Sequence, residues 1–173
     1  TKKIVTNPKG QTFKDEFVVF DLETTGFSAD VDQIIEIGAV KIKNGEIVDK
    51  FSTFVNPKVP ISFKIENLTG INDSMVIDAP VIEEILPKFL EFCKDAVLVA
   101  HNAEFDTSFI INKAEKMGIE TEFTYIDTVL LGQFAVPHLS NYKLDTLAKH
   151  LNVSLENHHR AVDDALATAD IFI

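Results

Sequence analysis

The dipeptide Asn44-Gly45, set between two apolar-patterned runs, restricts the fold of this chain more than any other feature. Asn and Gly accept the positive φ that a two-residue hairpin turn demands. The run before it, residues 33–43 (QIIEIGAVKIK), and the run after it, near 46–55, therefore read as paired antiparallel strands. Asn56-Pro57 stops the second of them. Upstream, residues 17–23 (FVVFDLE) read as a further strand, bounded by polar residues before and Thr24-Thr25-Gly26 after. Three strands joined in sequence suggest an antiparallel meander.

Beyond Pro57 the period changes. Residues 62–69 read as a short helix ended by Gly70. Residues 81–93 have helical spacing after Pro80 in an N1-like position, and Pro87 predicts a kink or a split. Residues 96–100 (AVLVA) form an uninterrupted apolar run, as in a strand buried on both faces. A helix over about 104–117 closes at Gly118, and a short strand near 124–127 precedes helices near 128–135 and 143–151. The last helix runs from about 160 to the end, with Val162, Ala165, Leu166, Ala169, Phe172 and Ile173 on one stripe. Strands first, then alternating helices and strands, predict an α/β domain: a mixed five-stranded sheet flanked by helices, in the order of the ribonuclease H fold. Residues 1–16 are expected to be a polar lead or linker, and 17–173 the domain.

At 173 residues the chain suits one domain with one sizeable core. No apolar run approaches the roughly 20 residues of a membrane span, so no membrane partner is expected. The lone Cys93 lies in an apolar pattern, which predicts packing rather than a disulfide and a cytoplasmic location. The start at Thr1 and the end inside an amphipathic pattern suggest a fragment of a longer protein. Net charge is −11, from 16 basic and 27 acidic residues, with no Lys/Arg-rich stretch. A basic duplex-coating face is therefore not expected.

The chemistry is carried by three segments. Asp21 and Glu23 are two apart on a strand and so share a face, opposite Val18, Phe20 and Leu22. Like charges side by side are costly unless a cation neutralises them. Asp106 follows the buried strand 96–100 at its C-terminal end, where ligands of α/β sheets collect. His159 precedes the last helix and Asp164 lies in its first turns. Taken singly, each has an ordinary explanation: solvated strand-end acids, a helix-dipole aspartate, a surface histidine. Together, four acids and a histidine converging on one sheet edge would suit hard cations, which prefer oxygen ligands. There is no H-E-x-x-H and no cysteine cluster, which disfavours a zinc hydrolase.

FDLETTG (20–26), HNAEFD (101–106) and HHRAVDDA (158–165) resemble, in order and spacing, the three motifs of the DnaQ-like DEDDh family of 3′→5′ exonucleases. LTGI at 68–71 and IDT at 126–128 also look like landmarks of that family, and the resemblance spans about residues 17–173. The double histidine, VAHN and the IIEIGAV strand look most similar to the proofreading domain of PolC-type bacterial replicative polymerases. The resemblance implies removal of nucleoside monophosphates from DNA 3′ ends by two-metal-ion hydrolysis. Its cofactors would be two divalent cations, Mg²⁺ or Mn²⁺. Its partners would be a single-stranded or frayed DNA 3′ end and a polymerase module in the same chain or complex. By motif position, Asp21, Glu23, Asp106 and Asp164 would be metal ligands and His159 the general base. Thr24 and Thr25 would lie near the terminal 3′-OH, and Leu68, Asn102 and Phe105 would line the nucleotide pocket. His158 and Asp163 repeat the spacing of His159 and Asp164, and only the family pattern selects the latter pair. His101 is expected to be structural. The competing readings are an RNA-trimming enzyme of the same family and a catalytically silent nucleic-acid-binding module.

Overall fold

The computed structural model describes residues 5–6, 16–94, 96–119, 121, 123–135, 139, 141–151 and 161–172. Along the chain run β1 (Val5–Thr6), β2 (Glu16–Thr24), β3 (Ile34–Lys43) and β4 (Glu46–Phe54), then α1 (Phe63–Thr69), α2 (Asp73–Val76) and α3 (Ile82–Phe92). There follow β5 (Val97–Ala100), α4 (Ala103–Lys116), β6 (Tyr125–Asp127), α5 (Thr128–Ala135), α6 (Leu144–His150) and α7 (Ala161–Phe172).

The sheet order is β1-β6-β5-β2-β3-β4. β2 to β4 form the expected antiparallel meander, with Asn44 (φ +53°) and Gly45 (φ +78°) both left-handed at its turn. β5 runs parallel to β2, and β6 parallel to β5. The expected five-stranded mixed sheet is therefore present. β1 lengthens it by one short strand, because Val5 and Thr6 pair antiparallel with Ile126 and Tyr125. These two residues belong to the segment that reads as a polar lead.

Both faces of the sheet are covered, which is why β3 is buried from Ile34 to Val40. On one face Val18, Phe20 and Leu22 of β2 pack with Ile85, Leu86 and Phe89 of α3 and with Phe109 and Ile110 of α4. Phe20 and Phe89 are 5.6 Å apart between ring centres, and each such buried side chain contributes roughly 1.5–3 kcal/mol. On the other face Val19, Val40 and Val99 pack with Leu166, Ala169 and Phe172 of α7. A smaller cluster of Ile35, Ile61, Ile65, Ile71 and Val76 holds α1 and α2. Cys93 is buried in the first cluster, and burial pushes its thiol pKa up.

The helix ends follow local chemistry. Ser62 accepts the Ile65 N–H at 3.2 Å to start α1, and Gly70 closes it at φ +74° by donating to the Glu66 carbonyl at 2.8 Å. Of the two outcomes expected at Pro87, the split does not occur: α3 runs as one helix with Pro87 inside. Proline removes the N–H that would reach the Glu83 carbonyl, but Glu83 and Pro87 are both exposed, so water can serve that carbonyl. Pro80 does not open the helix: Val81 is the N-cap, and the Pro80 carbonyl accepts the Asn56 N–H at 2.9 Å. Among the described residues, no helix is long and apolar enough to cross a membrane.

Candidate metal centre

β2 pairs with β5 only from Phe17 to Val19, so the strand end carrying Asp21 and Glu23 extends beyond its parallel neighbour. On the other side, Asp21 lies opposite Gly38 and Glu23 opposite Glu36 of β3. Alternation directs Asp21 and Glu23 to the same face as Val19, the face that α7 covers. Asp164 lies one turn into α7. Ligand oxygens of Asp21, Glu23 and Asp164 all lie within 4.8 Å of one another.

Asp106 stands outside that group of three but is linked to it by charge. β5 ends at Ala100, and Asn102 turns the chain in the left-handed region (φ +70°, ψ +59°) before α4 begins. Asn is among the few residues that visit this conformation readily. Asp106 is 2% exposed in the first turns of α4. Its charge is felt at Asp21, whose carboxyl pKa is raised well above the ordinary range. Burial is the main cause there, followed by the charges of Asp106, Glu23 and Asp164 and a hydrogen bond with Asp164. Asp106 is raised likewise, by burial first and then by Glu23 and Asp127. The four acids thus form one electrostatic unit drawn from a strand and two helices.

Four carboxylates held together and partly dehydrated repel each other, and protons or cations relieve that repulsion. The donors are all oxygens, which match hard divalent ions rather than thiolate- or imidazole-seeking metals. The acidic cluster is therefore consistent with a metal site.

The other expected site residues fall as follows. Thr24 donates its hydroxyl to the Gly26 carbonyl at 2.6 Å. Thr25 accepts the Gln33 N–H at 2.9 Å and donates to Asp32 at 3.3 Å. Both hydroxyls thus brace the loop that follows β2. A Cβ on Gly26 would run into the Asp32 carboxylate, which explains the glycine in FDLETTG. Lys113 of α4 ties the same loop down by donating to the Asp32 carbonyl at 2.6 Å. Phe105 is half-buried, 5.1 Å from Phe109 and 6.3 Å from the exposed Phe27 between ring centres. Asn102 is exposed, and Leu68 on α1 is 43% exposed. His158 and His159 lie outside the described residues, as does the side chain of Asp163.

His101 is structural, as expected. Nε2 lies 2.6 Å from the Tyr142 carbonyl and so donates, leaving Nδ1 to accept from the Thr128 hydroxyl at 2.9 Å. Burial lowers its pKa and favours this neutral form.

Asp127 was legible only as a family landmark, not as a brace. Its carboxylate accepts the N–H groups of Asn102 and Ala103, each at 3.1 Å, and of Val129 at 2.9 Å. It thereby holds the turn into α4, upstream of Asp106. The bond to Val129 is a local cap at the start of α5, but the partners at the turn into α4 lie 25 and 24 residues away, and no local pattern announces those.

A mixed α/β sheet with an acidic cluster at the outer end of a central strand is consistent with a metal-dependent hydrolase. The chain belongs to the exonuclease family: the family model described as RNase_T, Exonuclease, matches residues 18–172. It is 62% identical over 98% of its length to the DNA polymerase III PolC-type of Caldanaerobacter subterraneus subsp. tengcongensis, of which it covers 12%. It is 58% identical to the PolC-type enzyme of Clostridium perfringens over 97% of its length, again covering 12% of that protein. The chain thus spans about an eighth of the curated relatives it matches. Among solved structures, exonuclease X in complex with 5′ overhanging duplex DNA superposes with a TM-score of 0.75 at 29% identity, covering 90% of this chain and 88% of that one. E. coli exonuclease I in complex with a dT13 oligonucleotide shares the fold, with a TM-score of 0.80 at 15% identity over 92% of this chain and 40% of that one.

Proposed function

We propose that this domain is a 3′→5′ exodeoxyribonuclease that removes nucleoside monophosphates from DNA ends, serving as the proofreading module of a PolC-type replicative polymerase. The observation that carries the reading is the meeting of Asp21, Glu23 and Asp164 within 4.8 Å, with the charge of Asp106 acting on Asp21. The 62% identity to a PolC-type polymerase supports the assignment to DNA and to a polymerase partner.

Asp21, Glu23, Asp106 and Asp164 would hold two divalent cations, Mg²⁺ or Mn²⁺. When bound, such ions neutralise charge on the attacking and leaving oxygens of a phosphodiester. The chain's own residues supply the rest. His159, by its motif position, takes the proton from the attacking water and must be neutral to do so. Thr24 and Thr25 offer the backbone of the loop after β2 to the terminal 3′-OH. Leu68, Asn102 and Phe105 line the space for the terminal nucleotide. An end must leave its duplex before it can enter, so a frayed or mismatched end is favoured over a paired one.

The test is incubation of this chain with Mg²⁺ or Mn²⁺ and single-stranded DNA or RNA of matched sequence, labelled at the 3′ end. Early release of labelled deoxynucleoside monophosphate is expected, with RNA cut more slowly. Full activity in excess chelator, or release from the 5′ end, would overturn the reading.

A further inference from the structure

Glu36 is an acid within the fully buried stretch of β3, residues 34–40. It is 2% exposed, between Ile35 and Ile37, both fully buried. A carboxylate in such a place needs a compensating partner. It has one in Ala161, the first residue of α7, whose N–H donates to Glu36 Oε1 at 2.8 Å. The first N–H groups of a helix lack partners within the helix, and the helix dipole favours an anion there.

The position of this bond matters for the acids. Glu36 is paired in register with Glu23, so both side chains leave the sheet on the same face. Ala161 and Asp164 share the first turn of α7. The apolar contacts of Leu166, Ala169 and Phe172 press the helix onto the sheet. Such contacts are non-directional and tolerate small sliding or rolling. A directional bond at the first residue sets where the first turn stops. We infer that Glu36 is a positioning residue, holding the start of α7 so that Asp164 meets Asp21 and Glu23 in a geometry able to bind cations. The inference rests on the metal site proposed above.

Three variants of the 173-residue chain separate reach from charge. Glu36→Gln keeps the length and an acceptor oxygen but loses the charge. Glu36→Asp keeps the charge but is one methylene too short to reach Ala161. Glu36→Ala loses both. Mn²⁺ binding is measured by electron paramagnetic resonance of the free ion, below each variant's melting temperature, with Asp21→Asn as the reference for a lost ligand. Wild type should bind Mn²⁺ and Asp21→Asn should bind it poorly. Glu36→Gln should stay within a few-fold of wild type. Glu36→Asp and Glu36→Ala should lose about 10- to 100-fold in affinity, the usual effect of removing support from metal ligands. Raising Mn²⁺ should restore turnover in Glu36→Asp.

Wild-type affinity in Glu36→Asp overturns the inference and leaves the metal site standing. A loss in Glu36→Gln as deep as in Asp21→Asn also overturns it, by making Glu36 a ligand. No difference between wild type and Asp21→Asn removes the metal site itself. If Glu36→Ala does not fold, the Gln and Asp variants carry the comparison.

Discussion

Replacing Asp21 by Asn should stabilise the metal-free domain while abolishing its response to metal. Burial and three neighbouring acids hold the Asp21 carboxyl pKa well above its ordinary range. Asparagine has nearly the same shape and no charge, so near neutral pH the variant escapes that repulsion, a gain on the order of 1–2 kcal/mol, the usual size of a single-substitution effect. For a domain of this size each kcal/mol is worth roughly 2–4 °C in Tm. The metal-free variant should therefore melt roughly 2–8 °C above the metal-free wild type. With Mn²⁺ at about 100 times its Kd, wild type gains about 2.7 kcal/mol by mass action. That corresponds to a rise of roughly 5–11 °C, and the variant should show less than about half of it. The assay is a pair of calorimetric melts, in chelator and in Mn²⁺, with turnover measured alongside. A variant that melts below wild type in chelator would show that the Asp21 charge is stabilised by something other than a cation. An equal Mn²⁺ shift in both proteins would show that the ion binds elsewhere.

The raised carboxyls of Asp21 and Asp106 also set a pH dependence. The folded state binds these protons more tightly than the unfolded state, so stability falls as pH rises from the ordinary aspartate pKa towards the raised values. The metal-free domain should therefore gain Tm on mild acidification, and saturating Mg²⁺ should flatten that slope; a slope that metal leaves unchanged would place its origin outside this cluster. His159→Ala should be slow and lose the acid limb of the rate profile, whereas His158→Ala should be mild; the reverse ranking would shift the motif by one residue. Asp127→Ala orphans three N–H groups, two at the turn into α4 and one in α5, and should cost about 2–4 kcal/mol in denaturant unfolding, with loss of turnover; a near-neutral result would show that water replaces the carboxylate. With 16 basic against 27 acidic residues, binding of single-stranded DNA to Asp21→Asn should be weak, with a log–log salt slope of magnitude under about 2; a steep slope with tight binding would reveal a basic groove.

Much of this protein can be read locally. The period-2 and period-3.6 patterns, Asn44-Gly45 and Gly70 locate most of the strands, helices and turns to within a residue or two, because they depend on backbone preferences that neighbouring residues share; the four-residue α2 is too short to show a period and is missed. The shared face of Asp21 and Glu23 is local in the same sense. Pro87 does not split α3, and a rule about one missing N–H does not register that Glu83 and Pro87 are exposed, where water can serve the carbonyl. The extra edge strand at Val5–Thr6 is also beyond local rules, since a two-residue strand exists only by virtue of the partner it meets. The joining of Asp21 and Glu23 with Asp164 depends on α7 crossing β2 and β3, a matter of sheet order rather than of any segment. The same holds for the supports of the site: Glu36 reaches Ala161 across 125 residues, and Asp127 reaches Ala103 across 24. Side chains that satisfy distant backbone groups leave no period in the sequence, because their partners are chosen by packing in three dimensions.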